Sequence, residues 1–362
     1  MSSASDSPGD APLVVTAGPT VPFEPFWAAS CRVEIVEGIP GGSTEVGDRY
    51  MEAGLDPAVR SLFDQFVRGT WDHADLIVLD RSLRDLYYYL KELVRLGLAP
   101  ALPRLHLFDL LLARDLPVQR YNARQVEMLV DAVEHASGRR LGVADLEDAA
   151  ARADEVRAEY RRLDEQRRRG VVLGSEALGR IAAVRAGSPE EQKSALQSYN
   201  ESLEAREPVD RPRLLLVTGD AGDVPALHHA VEQAGAMIVA EDYRWGSRTA
   251  VAGHVESTDP VAAIAATAHR DGSGPELAPF GARVQWALAA AEGVDGAVLQ
   301  VSPDDRVLGW YLPELREALT RLGVPVLTVV EDAHSAESGL RAALHSWLGS
   351  AVTPGTRWEV AS

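Results

Sequence analysis

The clearest alternation of apolar and polar positions lies between Arg211 and Arg248. A short apolar run, Leu214 to Val217, ends at Thr218-Gly219-Asp220, which is typical of a buried parallel strand that leads into a turn. Apolar residues then recur at helical spacing up to Gly235, and Ala236 to Ala240 forms a second apolar run. The stretch therefore predicts a strand–helix–strand unit of a parallel sheet.

The same alternation extends over most of the chain. It predicts an α/β fold of two lobes, each a mostly parallel sheet with helices on both faces, in the Rossmann or flavodoxin-like manner. The further predicted strands are Cys31–Val36, Leu76–Leu79, Leu105–Leu107, Ala297–Val301 and Val324–Val330. The further predicted helices are 22–29, 56–68, 80–97, 122–137, 144–169, 188–206, 259–269, 281–292, 312–322 and 338–348.

The predicted boundary between the lobes is the proline-containing linker Glu207 to Arg213. Residues 13–207 form the predicted N-terminal lobe with a long helical segment, and residues 208–350 the C-terminal lobe. Residues 1–12 lack a basic start and an apolar stretch, so we expect a disordered tail rather than a signal peptide, and 351–362 is a second tail. The helix 144–169 carries closely spaced opposite charges and a thin apolar stripe, which predicts a solvated helix packed on one side.

Charge and cysteine content narrow the function. The net charge of −18 over 362 residues repels phosphate backbones and anionic lipids. No apolar run reaches the roughly 18 residues of a membrane helix. We therefore expect a cytoplasmic protein with no nucleic-acid and no membrane partner. Because Cys31 is the only cysteine, this chain alone cannot form a disulfide, a CxxC redox pair or a thiolate-ligated cluster.

A candidate ligand site follows the second strand of the opening unit, where open α/β sheets bind their ligands. It consists of Asp242, Tyr243, Arg244, Gly246, Ser247 and Arg248. One of the two arginines could fork onto a phosphate or carboxylate of a CoA-like ligand. Alternatively, the arginines pair with Glu241 or Asp242 and brace the loop. The adjacent His228 and His229 do not face one another on a helix, so we expect surface histidines rather than a metal site.

Several stretches, taken in order, resemble the 2-hydroxyacyl-CoA dehydratases and the related benzoyl-CoA reductase subunits. The resemblance covers roughly residues 20 to 350, and Gly246-Ser247-Arg248 is its most characteristic piece. The stretches are Glu24 to Ala29 with the strand after it, Leu214 to Arg248, the helix start Asp259-Pro260, GVDGAVLQ at 293–300 and LPELREALTRLGVPVLTVVED at 312–332.

The resemblance implies a heterodimer of two similar subunits, with iron–sulfur clusters held by three cysteines per subunit and an acyl-CoA beside one cluster. A separate ATP-driven activator delivers one electron for a ketyl-radical elimination of water. In this chain the three cysteine places fall near Asp56-Pro57, at Asp80 to Ser82 and within Ser302 to Asp305, and none has a thiol. Cys31 aligns with a core position instead.

Oxygen ligands offer one replacement for the missing thiolates. Asp56, Asp80 and Asp305 lie near the three places, and three carboxylates would suit Mg²⁺ or Mn²⁺. The alternative, favoured because aspartate is common at helix starts, is that Asp56 and Asp80 cap helices and Asp304 or Asp305 lies in a solvated turn.

The sequence supports three hypotheses on function. The first is a cluster-free subunit of a dehydratase-like complex, a lyase component that completes an acyl-CoA site. It holds no cofactor itself, and a four-iron four-sulfur cluster is expected only in a homologous, cysteine-bearing partner subunit of the heterodimer. The second is a ligand-binding or regulatory protein that kept the fold without redox chemistry. The third is an enzyme with a new carboxylate-based site.

Overall fold

The computed structural model contains two four-stranded sheets in which all neighbouring strands are parallel. It describes residues 11–39, 41–52, 54–99, 101–113, 115–218, 224–271, 280–301, 308–330 and 336–351. Two parallel sheets with helices around them confirm the predicted α/β fold of two lobes.

The elements agree with most of the predicted ones to within a few residues. The strands are β1 (Leu13–Ala17), β2 (Arg32–Ile35), β3 (Leu76–Asp80), β4 (Arg104–Phe108), β5 (Arg213–Thr218), β6 (Met237–Glu241), β7 (Gly296–Val301) and β8 (Val326–Val330). The helices are α1 (Glu24–Ala28), α2 (Glu45–Tyr50), α3 (Pro57–Val67), α4 (Arg84–Arg95), α5 (Leu116–Ser137), α6 (Val143–Arg169), α7 (Gly174–Val184), α8 (Pro189–Leu203), α9 (Val224–Gln233), α10 (Pro260–Asp271), α11 (Phe280–Ala290), α12 (Leu308–Arg321) and α13 (Ala336–Ala351).

The first sheet has the strand order β2-β1-β3-β4, and β1, one of its two central strands, was not predicted from the sequence. All five residues of β1 are buried, because helices cover both faces of the sheet. On one face Val14 belongs to the same apolar cluster as Phe26 and Leu129. On the other face Val15 belongs to the cluster of Phe63. The fold therefore begins with a strand rather than with the predicted helix.

The second sheet repeats this order as β6-β5-β7-β8, with β5 and β7 as its central strands. The predicted strands 214–217 and 236–240 are confirmed as β5 and β6. Alternate residues of β5 enter different cores: Leu215 and Val217 face one, and Leu214 and Leu216 face the other. In each sheet the second strand lies on one side of the first, and the third and fourth strands lie on the other. The carboxyl ends of the strands around that change of direction are the usual ligand-binding edge.

The chain divides into two compact units that are not continuous in sequence. The first contains the described parts of residues 1–156, 185–192 and 253–272, and the second those of 157–184, 193–252 and 273–362. Residues 157–184 and 193–207, which precede the predicted boundary, thus belong with the second sheet, and α10 belongs with the first. The division of the chain at residue 207 into independent domains stays a prediction.

The two predicted tails fall mostly outside the described residues, which begin at residue 11 and end at residue 351. Within the part of the chain that the structure describes, no helix is both long and apolar enough to cross a membrane.

Candidate functional site

The predicted ligand residues lie in the loop that leaves β6, an edge strand of the second sheet. We call residues 242–248 the ligand loop. A single 3₁₀ turn, Ser247–Thr249, ends it. The loop leaves the sheet at the carboxyl end of a strand, as the sequence predicts, and two buried acidic residues at its start determine its shape.

Asp242, the first residue of the loop, is completely buried and bonded to two other elements. Its Oδ1 accepts the backbone N–H of Thr218, at the end of β5, at 2.9 Å, and its Oδ2 accepts from Arg283 of α11 at 2.6 Å. Burial raises the pKa of the Asp242 carboxyl, while Arg283 and the Thr218 N–H act in the opposite direction. Asp242 therefore fixes the start of the loop and is not itself placed to meet a solvent-borne ligand.

Glu241, the last residue of β6, forms a second buried ion pair with Arg167 of α6. The contact is two-pronged, with Arg167 Nη1 3.0 Å from Glu241 Oε1 and Nη2 on Oε2. Burial opposes ionisation of Glu241, but Arg167 and His228 outweigh it, and the pKa of the carboxyl lies below its ordinary value of 4.5. Helix α6 is packed on one side, and its last turn carries an arginine into the core.

The backbone of the ligand loop folds over the Glu241 carboxylate. The N–H of Ser247 donates to Glu241 Oε1 at 2.7 Å, and the N–H of Glu241 donates to Ser247 Oγ at 3.3 Å. A Cβ atom at position 246 would lie 1.7 Å from Glu241 Oε1, so only glycine fits there. The sequence predicts Gly246 and Ser247 as ligand residues. In the structure both lie against Glu241.

The two arginines of the loop are only partly buried. The guanidinium of Arg248 lies over the ring of Trp286, 5.7 Å from its centroid. Its charge also opposes the rise that burial causes in the pKa of Asp242. Arg167 and Arg283, which lie outside the loop, form ion pairs with Glu241 and Asp242. Of the predicted ligand residues, Arg244 and Arg248 combine positive charge with solvent access. Their ligand-binding role stays a prediction.

The prediction that both neighbouring histidines of α9 lie at the surface is wrong for His228. His229 is exposed, but His228 is completely buried, with Nε2 3.3 Å from Glu241 Oε2. Its ring packs so closely against α7 that a Cβ at Gly174 would lie 2.2 Å from Nδ1. Helical spacing could have shown this, since His228 lies three residues before Val231 and four after Val224 on the apolar face.

Two of the three places where the resemblance expects cysteines lie in described parts of the chain, and both hold aspartates that cap helices. Asp56 accepts the N–H of Ala58 at 2.7 Å at the start of α3. Asp80, at the end of β3, accepts four hydrogen bonds, two from Thr20 and two from Ser82, at 2.5 to 3.0 Å. The capping interpretation is confirmed for both residues. The third place, Ser302 to Asp305, lies outside the described residues.

The neighbourhood of Asp80 is shaped around that carboxylate. Gly18, just after β1, has φ +103°, and a Cβ there would lie 2.1 Å from Asp80 Cγ. Both Asp80 oxygens are occupied by hydrogen bonds, so the group has little capacity left for a metal. Among the described residues, no group of three or more histidine, cysteine or acidic side chains could hold a metal ion.

The first unit contains a cluster that the sequence analysis missed, a histidine held between two carboxylates. His254 Nδ1 lies 2.8 Å from Asp154 Oδ1, and Nε2 lies 2.8 Å from Glu24 Oε1. The backbone N–H of His254 also donates to Asp154 Oδ1 at 2.9 Å. Glu24 and His254 are 230 positions apart, so no local pattern could have paired them. The cluster fixes the segment before α10.

Replacing His254 by leucine is expected to lower the free energy of unfolding by about 1–3 kcal/mol, because the buried Glu24 carboxylate loses this donor. Thermal and urea unfolding of the full chain would measure the loss. The matched control is His229→Leu, at an exposed histidine, which should leave both transitions nearly unchanged. Equal effects of the two substitutions would contradict a structural role for the cluster.

A comparison with protein families identifies a match over most of the chain. A family model described as 2-hydroxyglutaryl-CoA dehydratase, D-component, matches residues 20–341. No individual curated protein matches the chain significantly. The matched region includes strands β2 to β8, the ligand loop and the two capping aspartates, whereas β1 precedes it.

Proposed function

The chain belongs to the 2-hydroxyglutaryl-CoA dehydratase D-component family, and from that premise we propose that it is a cluster-free subunit of a 2-hydroxyacyl-CoA dehydratase-like complex. In this role it completes an acyl-CoA site beside a homologous subunit that carries the cysteines. The partner, not this chain, would hold a four-iron four-sulfur cluster and transfer electrons.

The observation that carries the proposal is the set of side chains at the family's ligand places. Iron–sulfur clusters are held by thiolates, and the single thiol of this chain, Cys31, is buried, which raises its pKa to about 12. Asp80 has both oxygens engaged, and Asp56 caps a helix. These residues do not fit a cluster, so we derive no electron-transfer step through this chain.

The ligand loop supplies what such a subunit still needs, a cationic surface at the carboxyl edge of a sheet. Arg248 and Arg244 are the candidate groups for a phosphate or carboxylate of an acyl-CoA, because a guanidinium can donate two parallel hydrogen bonds to either. Both arginines are partly exposed, which lets a ligand from solvent reach them.

Metal and sulfide analysis tests the cluster-free part of the proposal. The full chain, produced and purified without oxygen, is expected to contain no stoichiometric iron or acid-labile sulfide and to show no cluster absorbance. Stoichiometric iron and sulfide in the isolated chain would refute the proposal. Co-purification should recover a homologous subunit with cysteines, whereas its consistent absence would favour a ligand-binding protein that acts alone.

Substitution of the loop arginines tests the acyl-CoA site. Arg248→Ala or Arg244→Ala should remove a charge-assisted hydrogen bond of about 1.5–3 kcal/mol from the binding of a CoA thioester. Affinity should then fall by roughly ten- to a hundredfold. Calorimetric titration with 2-hydroxyglutaryl-CoA and with coenzyme A alone would measure it, with Arg168→Ala as the control arginine outside the loop. A lower melting temperature with unchanged affinity would remove the loop from the binding site.

A further inference from the structure

We propose that Arg167 is a positioning residue for the ligand loop, which it holds through Glu241. The significance of this role for ligand binding rests on the proposed function, but its effect on the loop backbone can be measured without a ligand.

The contact of Arg167 with Glu241 connects helix α6 to the strand end from which the loop leaves. The Arg167 side chain is 1% exposed and that of Glu241 0%. Its neighbours Arg168 and Arg169 bond instead to Asp164 and Gln166 on α6 itself. Of the three consecutive residues Arg167, Arg168 and Arg169, only Arg167 therefore enters the interior of the second unit.

The carboxylate that Arg167 holds is the one on which the loop backbone rests. Oε1 of Glu241 accepts from both Arg167 Nη1, at 3.0 Å, and the N–H of Ser247, at 2.7 Å. Arg167 Nη1 also lies 3.4 Å from Ser247 Oγ. Because Arg248 follows Ser247 directly, the position of its Cα depends on these bonds.

Stability alone does not explain such a pair. An apolar pair of similar volume is often as stable as a buried ion pair, or more stable. A guanidinium fork, however, fixes the plane of a carboxylate, which a single-point contact cannot do. Here that plane determines where Oε1 meets the Ser247 N–H. The geometry therefore indicates that the Arg167–Glu241 pair orients the loop.

The test compares Arg167→Met with the matched control Arg168→Met in the full chain, since Arg168 forms a partly exposed pair with Asp164 at 2.9 Å. Amide hydrogen exchange, measured well below the melting temperature, is expected to become about tenfold faster or more at residues 246–248 in Arg167→Met. Exchange in β5 and β7 should remain as in the wild type, and Arg168→Met should show neither effect. Affinity for coenzyme A, used as the probe, should fall by about tenfold in Arg167→Met alone.

A second variant, Arg167→Lys, keeps the charge without the fork and covers the case in which Arg167→Met does not fold. It should still exchange faster at residues 246–248 than the wild type. The proposal would be overturned if residues 246–248 of either folded variant exchanged their amide hydrogens at the wild-type rate. It would also be overturned if the exchange rate rose equally in the loop, β5 and β7. If the wild-type chain does not bind coenzyme A, the proposed acyl-CoA site fails, and the exchange pattern alone decides the positioning role.

Discussion

Replacing Glu241 by alanine is expected to lower the free energy of unfolding of the second unit by about 3–5 kcal/mol, because it leaves Arg167 charged and buried without its carboxylate. The same substitution removes the acceptor of the Ser247 N–H. Urea unfolding, followed by tryptophan fluorescence and circular dichroism, would measure the change. The double variant Arg167→Met/Glu241→Gln, which buries no ionised group at the pair, should recover most of the loss.

The control for this prediction is Glu92→Ala, which removes the acid of an exposed ion pair with Arg95 within helix α4. Water screens that pair, so the transition should hardly move. A loss for Glu241→Ala no larger than that for Glu92→Ala would show that the buried pair is not required for the fold.

Lowering the pH should reduce the free energy of unfolding of the wild type more than that of the Glu241→Gln variant. The pKa of Glu241 is lower in the folded chain than its ordinary value of 4.5. Its contribution to stability is therefore fully present above that value and is lost as the pH falls through the folded pKa. The stability difference between the wild type and Glu241→Gln should shrink as the pH is lowered below about 4.5. A constant difference from pH 7 down to acid unfolding would contradict this linkage.

Asp80→Ala is expected to have the second large effect, a loss of about 3 kcal/mol or more in the first unit. It removes the acceptor of four hydrogen bonds from Thr20 and Ser82 and leaves buried donors without a partner. The matched variant is Asp56→Ala, at the other described place where the family resemblance expects cysteine. Its carboxylate is an exposed helix cap, so we expect a loss of only about 1 kcal/mol.

Thermal and denaturant unfolding of both aspartate variants would measure this contrast. If Asp80→Ala cost no more than Asp56→Ala, the four hydrogen bonds would contribute little, and Asp80 would become a stronger candidate for a functional carboxylate. Addition of Mg²⁺ or Mn²⁺ to the wild type provides a further check, since binding to the folded state raises the melting temperature.

Local patterns predicted most of the strands and helices but not all of them. The runs 214–217 and 297–301 were recognised because apolar residues sit between turn residues, and β1 carries the same signal, LVVTA between Pro12 and Gly18. It was missed because it follows directly on the predicted tail. Strand existence could thus be predicted throughout, whereas the sheet order depends on which strands pair across the chain.

The place of the candidate loop in the fold could be predicted from the sequence, but its contacts could not. The loop after β6 was predicted from its place at the carboxyl end of a strand. Arg167 lies in the helix predicted to be solvated and packed on one side, and it continues the buried stripe of Val156, Tyr160 and Leu163 at three- and four-residue spacing. That stripe indicates a buried position, yet only the fold shows that Glu241, 74 residues later, neutralises the arginine there.

The discontinuous first unit has a consequence for synthesis on the ribosome. Ile264 and Ala265 of α10 complete the apolar cluster that contains Val126 and Leu129 of α5. Translation must therefore continue well over a hundred residues past α5 before α10, which packs on this apolar cluster, is synthesised. This takes on the order of ten seconds at 5–20 residues per second. During that interval the nascent chain exposes an apolar helix face that a holding chaperone could bind. A polypeptide ended near residue 207 would keep that face uncovered permanently.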